Sequence, residues 1–475
     1  MKAPNFKIYF TGLALICASF GFAQLEIKGK VVDFMKLLPL DNANVYIQNT
    51  TIGTISNTDG KFVLQIPQSL AQDTLVVSSI GFKSFKVRVA DYDATQDIFL
   101  EEDVASLDEI LLVAETRPKT GNDIVLRALE RLEDNLPDSS YVQKGFLRHK
   151  ERNSREFKWL IESAITVYDS GYASSSSEHL KVNVDEVRKS YDLRDLDSVF
   201  AYVSYKNRNA GKSRLKITDV NRRDLQTSEL VNAIRWNDTR VNGLQNIFQG
   251  KLNLFRNAND NKALFGEDVL RTHQFQLDTI LVDNDRKIYK IKIEDSEAFV
   301  GLDTEGMYNE GYHANGWLYI YYDNYAIKRV EYDLTAASKV QKERSKRLFG
   351  TQTNHKLVIN YMEFEDKMYP NYIYYETPKL VNVGLKGKGK ITEAERKRYN
   401  ENERYYYTVQ EILFSEIILD DIVIQTKLQE EWDMDIFSPK PYNEAFWKNY
   451  NVLLESDEDE KLIQDLSKRA TLFKN

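Results

Sequence analysis

Residues 316–334 read GWLYIYYDNYAIKRVEYDL. Two aromatic-rich runs, Gly316–Tyr322 and Tyr325–Leu334, flank Asp323-Asn324, a dipeptide that turns readily, so the stretch predicts a β-hairpin. The same rhythm recurs on both sides of it. Lys356–Glu365 and Met368–Glu376 flank a turn placed at Asp366-Lys367, and Lys287–Glu294 alternates apolar and charged residues. Tyr141–Arg152 and Phe157–Tyr168 are strands joined by Asn153–Glu156, and Tyr405–Ile424 reads as one long strand or a pair. Consecutive hairpins over residues 140–425 predict one large, curved antiparallel sheet, with helices near 222–257 and 392–404 on one side.

The N-terminal part has a different scale. Between residues 24 and 114, short β-type runs (Ile27–Asp33, Ala43–Ile47, Lys61–Ile66, Thr74–Ser78, Phe82–Val89, Asp97–Leu100) alternate with turn residues such as Asp59-Gly60. That spacing predicts a seven-stranded type of antiparallel β-sandwich. Residues 115–139 then read as a linker and a helix. Asn122 is placed to cap the helix, Val125, Ala128, Leu129, Leu132 and Leu136 share one apolar face, and Pro137 ends it. Residues 426–475 form a helical tail, in which Ser456-Asp457-Glu458-Asp459 places acids at a helix N-terminus ahead of an apolar face of Leu462, Ile463 and Leu466 that would dock onto the domain.

Composition limits the chemistry. The 475 residues are 42% hydrophobic and 29% charged, an ordinary globular balance, and 12% are aromatic, which favours strands. The first 23 residues carry Lys2 and Lys7, then an apolar run from Ile8 to Phe20, then small residues before Ala23. This is the pattern of a secretory signal cut between Ala23 and Gln24. Cleavage removes Cys17, the one cysteine, and leaves 62 basic against 72 acidic residues, a net charge of −10. Thiol chemistry is thereby excluded, an oxidising envelope compartment fits, and nucleic acid is not expected as a partner. No later apolar run reaches the length of a helical membrane span.

Two resemblances add to this. Gly29–Asp33, Pro39-Leu40, Ala43–Ile47, Gly53-Thr54, Asp59–Phe62, Leu75–Phe82 and Leu107–Ile110 resemble, in order, the carboxypeptidase-regulatory-like domain. The resemblance implies a transthyretin-like sandwich without a peptidase site, of a kind that commonly precedes TonB-dependent receptors and other exported proteins of Gram-negative envelopes. The glycines and Asp59 are explained as turn positions. More weakly, Gly316–Ile320, Asn324–Tyr332 and Met368–Pro370 resemble the hairpins of periplasmic lipoprotein-carrier half-barrels. Gly145–Arg148, Trp159–Tyr168 and Phe446–Asn451 are similar to uncharacterised envelope proteins that join the same two parts. The carrier likeness implies an acyl-binding concave face.

No catalytic constellation emerges. His149, His179, His273, His313 and His355 lack zinc-peptidase spacing, and there is no GxSxG elbow. Gly384–Lys390 has P-loop spacing, but Ile391 stands where Ser or Thr must hold magnesium, so no nucleotide is expected. No metal or other cofactor is expected either. Lys386, Lys388, Lys390, Arg396, Lys397 and Arg398 form a basic cluster that could meet an anionic membrane surface; its acidic neighbours favour a solvated loop instead. Lys339, Lys342, Arg344, Lys346 and Arg347 form a second such cluster. Arg148 and Glu162 lie opposite one another if the intervening loop is Ser154–Glu156, giving a structural ion pair; a loop of Asn153-Ser154 would set Arg148 against Trp159. The reading is a mainly β, non-enzymatic envelope protein, periplasmic or outer-membrane associated, that binds an amphiphile, a glycan or a partner protein. The alternatives are an envelope hydrolase with a dispersed site and an accessory factor of outer-membrane transport or assembly.

Overall fold

The computed structural model describes residues 24–103, 120–152, 157–172, 180–191, 196–209, most of 213–236, 273–295, 312–336, 355–382, 403–436 and 440–467, with isolated residues between. Residues 1–23, expected from sequence to be a signal, residues 383–402 with their basic cluster, and His179 lie outside them.

Seven strands build the N-terminal sandwich: β1 (Gln24–Asp33), β2 (Asn44–Ile47), β3 (Gly53–Ile55), β4 (Lys61–Pro67), β5 (Thr74–Ser78), β6 (Phe85–Arg88) and β7 (Ile98–Leu100). They form a sheet β4-β1-β7 and a sheet β3-β2-β5-β6. Alternating inward residues, among them Val31, Val45, Phe62, Leu64, Leu75, Val77 and Leu100, fill the space between. The sandwich is not wholly antiparallel as expected, because β7 runs parallel to β1, pairing Ile98 with Val31 and Leu100 with Asp33. The turn before β4 is held by Asn57, whose Oδ1 accepts from the amides of Asp59 and Lys61. Asp59, expected to cap this turn, instead accepts from the Asp457 amide across the molecule. Gly60 sits at φ +74, with the Val31 carbonyl where a Cβ would go.

The remaining strands are β8 (Tyr141–Arg152), β9 (Phe157–Asp169), β10 (Leu180–Tyr191), β11 (His273–Asp283), β12 (Arg286–Asp295), β13 (Tyr312–Tyr321), β14 (Ile327–Ala336), β15 (His355–Phe364), β16 (Lys367–Asn382) and β17 (Glu403–Ile418). All ten lie in one open, curved, antiparallel sheet of order β10-β9-β8-β17-β16-β15-β14-β13-β12-β11. Neighbours follow chain order except at one seam, where β17 returns to pair with β8, Ile412 opposite Leu147. The decisive hairpin forms as read, with Tyr321 and Ala326 bonded across the turn and Tyr325 at φ +60. The next turn falls one residue earlier than expected. Glu365 and Asp366 both take positive φ and Phe364 pairs with Lys367, as a two-residue type I′ turn demands. The last strand also stops short of Ile424. Asp420 Oδ1 accepts from the amides of Ile422 and Val423 and starts a helix over Asp421–Leu428.

One face of this sheet, the inner face, carries the helix Gly121–Glu130. Thr120, rather than Asn122, caps it by accepting from the Asp123 amide; Asn122 Oδ1 instead accepts from the Phe275 amide on β11. The helix packs so closely that a Cβ on Gly121 would lie 2.3 Å from the Phe275 carbonyl oxygen. Ile124, Val125, Ala128 and Leu132 join a single apolar cluster with residues from all ten strands, from Val184 on β10 to Phe275 on β11.

The outer face carries the sandwich and the C-terminal segment. Ile55 of the sandwich packs with Phe146, Ala164, Tyr372, Leu413, Trp447 and Leu453, and Ile80 packs beside Ile288 and Tyr321. Hydrogen bonds fix the docking: Gly81 N to Val282 O at 2.7 Å, Ile417 N to Thr51 Oγ1 at 3.1 Å, and Asn371 Nδ2 to Asn44 Oδ1 at 3.2 Å. At this seam burial, reinforced by Asp283, pushes the Tyr46 hydroxyl up to about 12.

Candidate functional site

The densest chemistry lies on the outer face, where β8, β9, β10 and β17 meet the C-terminal segment. Strand alternation puts Arg148 and Lys150 of β8, Glu162 of β9, Arg188 of β10 and Glu411 of β17 on that face. Arg148 stands opposite Glu162, its Nε 2.8 Å from Oε1, and Arg188 Nε reaches Oε2 of the same carboxylate at 2.6 Å. A register shift between Glu151 and Arg152 sets Arg152, not Asn153, against Phe157, and the bulge preserves the Arg148–Glu162 register. The pairing is thus reached by a route neither loop reading contained.

Glu162 is wholly buried and Arg148 nearly so. Arg148 also donates to the Leu453 carbonyl at 2.8 Å, so one guanidinium holds both a strand and the tail. Arg188 lies 4.6 Å over the Trp447 ring, a cation–π contact in a largely desolvated setting. Beside this triad Lys150 meets Asp459 at 2.9 Å and Glu411 at 3.2 Å. Burial works against the charge of Arg148, but Glu162, Glu411 and Asp459 outweigh it and raise its pKa above the guanidinium range. Burial likewise opposes the charge of Lys150, and Glu411 and Asp459 again prevail and raise it. Burial would raise the Asp459 carboxyl, yet Lys150 pulls it below the ordinary value.

The tail is tied on its other side to the sandwich. Asn451 exchanges two bonds with the backbone of Gln65, at 2.7 and 3.1 Å. Asn57 Nδ2 donates to the Glu455 carbonyl and Lys61 pairs with Asp457. Residues 442–467 therefore form a strap across both domains. Its last helix, Glu460–Ser467, seats Leu462 and Leu466 on Leu160 of β9, while Ile463 does not join that cluster.

Chemically this is a closed network. Carboxylates converge, but each of Glu162, Glu411 and Asp459 faces a cation beneath the strap rather than a cleft. Among the described residues there is no group of three His, Cys, Asp or Glu side chains placed to hold a metal. His149 and His355 are buried on separate strands, and His273 bonds the Tyr332 hydroxyl at 2.7 Å. Of the second basic cluster, Lys339 and Lys346 are exposed and Lys339 lies 3.8 Å from Glu343. Sequence reading missed Arg188, Lys150, Glu411 and Asp459 as members of the network. Arg188 and Glu411 depend on strand registers set across long connections, which no local pattern encodes; Lys150, two residues from Arg148 on the same strand face, was the accessible signal.

Comparison with known proteins bears on the N-terminal module. Residues 27–112 match the CarboxypepD_reg-like domain family. The TonB-dependent receptor SusC of Bacteroides thetaiotaomicron is 37% identical over 117 residues, which are 24% of this chain but 11% of the receptor. The chain thus spans about a tenth of that relative. Two solved structures are similar over about two thirds of this chain. A LolA superfamily protein from Nitrosomonas europaea is 10% identical, with 64% of this chain and 95% of that one covered at a TM-score of 0.21. A DUF1329 family protein from Desulfovibrio piger is 10% identical, with 65% and 98% covered at 0.25. Scores of that size lend no support to a shared function. No helix among the described residues is long and apolar enough to cross a membrane.

Proposed function

We propose that the chain is a non-enzymatic protein of the cell envelope that works by holding a protein partner, as an accessory factor in outer-membrane assembly or transport. One observation carries the choice of partner over stored amphiphile: the inner face is filled by the chain itself. Ile161, Ile165, Leu318, Ile291, Leu357, Ile359 and Ile412 are buried in one continuous core that also holds Ile124, Val125 and Ala128 of the Gly121–Glu130 helix. A carrier for acyl chains needs an apolar wall left open to its cargo. The CarboxypepD_reg-like module supports an envelope setting, because the receptor with which it shares sequence is a TonB-dependent one. The strap supports a rigid two-domain body rather than two modules on a tether.

The test is native mass spectrometry of the protein purified from envelopes, with lipid extraction of the same sample. A stoichiometric protein partner without co-purifying amphiphile is the expected result. A bound amphiphile released only on unfolding would overturn it and restore the carrier reading.

A further inference from the structure

The loop between β1 and β2 is unlike the rest of the sandwich surface. Residues 34–38 read Phe-Met-Lys-Leu-Leu, and Met35 and Leu37 are 72% and 70% exposed. Phe34, Leu38 and the neighbouring Phe99 on β7 are each about half exposed or more, and Phe34 stacks edge-on against Phe99. Singly exposed apolar side chains are common, but five gathered at one projecting turn are not.

Four of the five amides at residues 34–38 find acceptors within the chain. The amides of Met35 and Lys36 both donate to Asp33 Oδ1, at 2.9 and 3.0 Å. The Leu37 amide donates to the Asp33 carbonyl, the Phe34 amide to Leu100 and the Asp33 amide to Leu38. Lys36, the one charge at the tip, is folded back onto Glu102 and lies 3.5 Å from Asp33. Leu37 sits at φ +55, a backbone site where glycine or asparagine would cost less, so an apolar side chain stands where turn chemistry does not ask for one.

We infer that this loop is a lipid-contacting tip that inserts Phe34, Met35, Leu37 and Leu38 into the boundary between headgroups and acyl chains of a phospholipid bilayer. A protein pocket can offer hydrogen bonds to a loop; hydrocarbon offers none, so only a segment with internally paired amides and a neutralised charge enters it at low cost. Those are the two properties found here. The tip is held rigid by the Asp33 turn, so insertion orders little further chain. Attraction comes from apolar area and not from charge, because Lys36 is paired with Asp33 and Glu102 and the whole chain is acidic.

The test uses the chain from Gln24 onward with vesicles of phosphatidylcholine alone, read by co-sedimentation. Phe34→Trp adds a local probe, read by its blue shift and by quenching from brominated lipid. Binding should persist in high salt and fall roughly tenfold or more in Met35→Ser/Leu37→Ser, whose thermal midpoint stays at the parent value because both side chains are solvated. Absence of binding by the parent chain, equal binding by the double variant, or binding only when phosphatidylglycerol is added and salt is low would each overturn the inference. So would a photo-crosslinker at residue 35 that labels a protein and no lipid.

Discussion

Replacing Glu162 by glutamine keeps its shape and removes the one negative charge between two guanidiniums. Arg148 is then left buried with the partly solvated Arg188 beside it, and Arg148 cannot reach solvent without lifting the strap. Breaking a buried pair by deleting one partner costs about 3–5 kcal/mol, since the remaining charge is uncompensated. Arg148→Met should cost less, about 2–3 kcal/mol, because Glu162 keeps Arg188 at 2.6 Å while the Leu453 carbonyl loses its donor. The double variant Arg148→Met/Glu162→Leu replaces the buried pair by apolar volume and leaves only Arg188, which already contacts Trp447 and is partly solvated. It should lie within about 1–2 kcal/mol of the parent, far from the sum of the single effects. Denaturant midpoints of all four proteins measure the energies, and limited proteolysis after residue 442 reports strap release. Additive single effects, or a Glu162→Gln variant within about 1 kcal/mol of the parent, would refute the picture of a charge-balanced clamp.

Acid should release the strap. The Asp459 carboxyl titrates below its ordinary 3.8 because of Lys150, so its contribution is complete above that value and is lost as pH falls through the lowered pKa. Glu455, raised chiefly by burial, acts in the opposite sense and gains as it protonates. The opening free energy of residues 452–467, from amide exchange corrected for the pH dependence of the intrinsic rate, should therefore rise slightly as Glu455 protonates and fall below about pH 4, and Asp459→Asn should remove that fall. Gly121→Ala places a methyl group against the Phe275 carbonyl; overpacking of this kind costs about 1–3 kcal/mol, read as a lowered thermal midpoint.

The fold was largely written in local patterns. The alternation in 316–334 named its hairpin, and the turn spacing named the sandwich, because both depend on neighbours in sequence. Strand β10 escaped notice because its apolar face is diluted by charge, with five charged residues among the twelve of Leu180–Tyr191; β11 and the helix Leu196–Asn207 were not read either. Turn positions shifted by one where type I′ geometry let Glu365 and Asp366 take positive φ. The parallel pairing of β7, the return of β17 to β8 and the strap rest on contacts between distant residues, for which sequence offers residue types but no register. Arg148 and Glu162 were legible because one short connection separates them; their partners were not.

The strap has a consequence for how the molecule is made. Asn57 and Glu455, bonded through a side chain and a carbonyl, are 398 positions apart, and Glu151 and Thr408 across the β8–β17 seam are 257 apart. The sandwich can mature early, but β8 must wait for nearly the whole chain before its open edge is covered. During that interval the half-built sheet presents an unpaired strand to any other chain in reach. A chain cut short before residue 403 would lack β17 altogether, so shortened products are expected to aggregate rather than persist as partly functional domains.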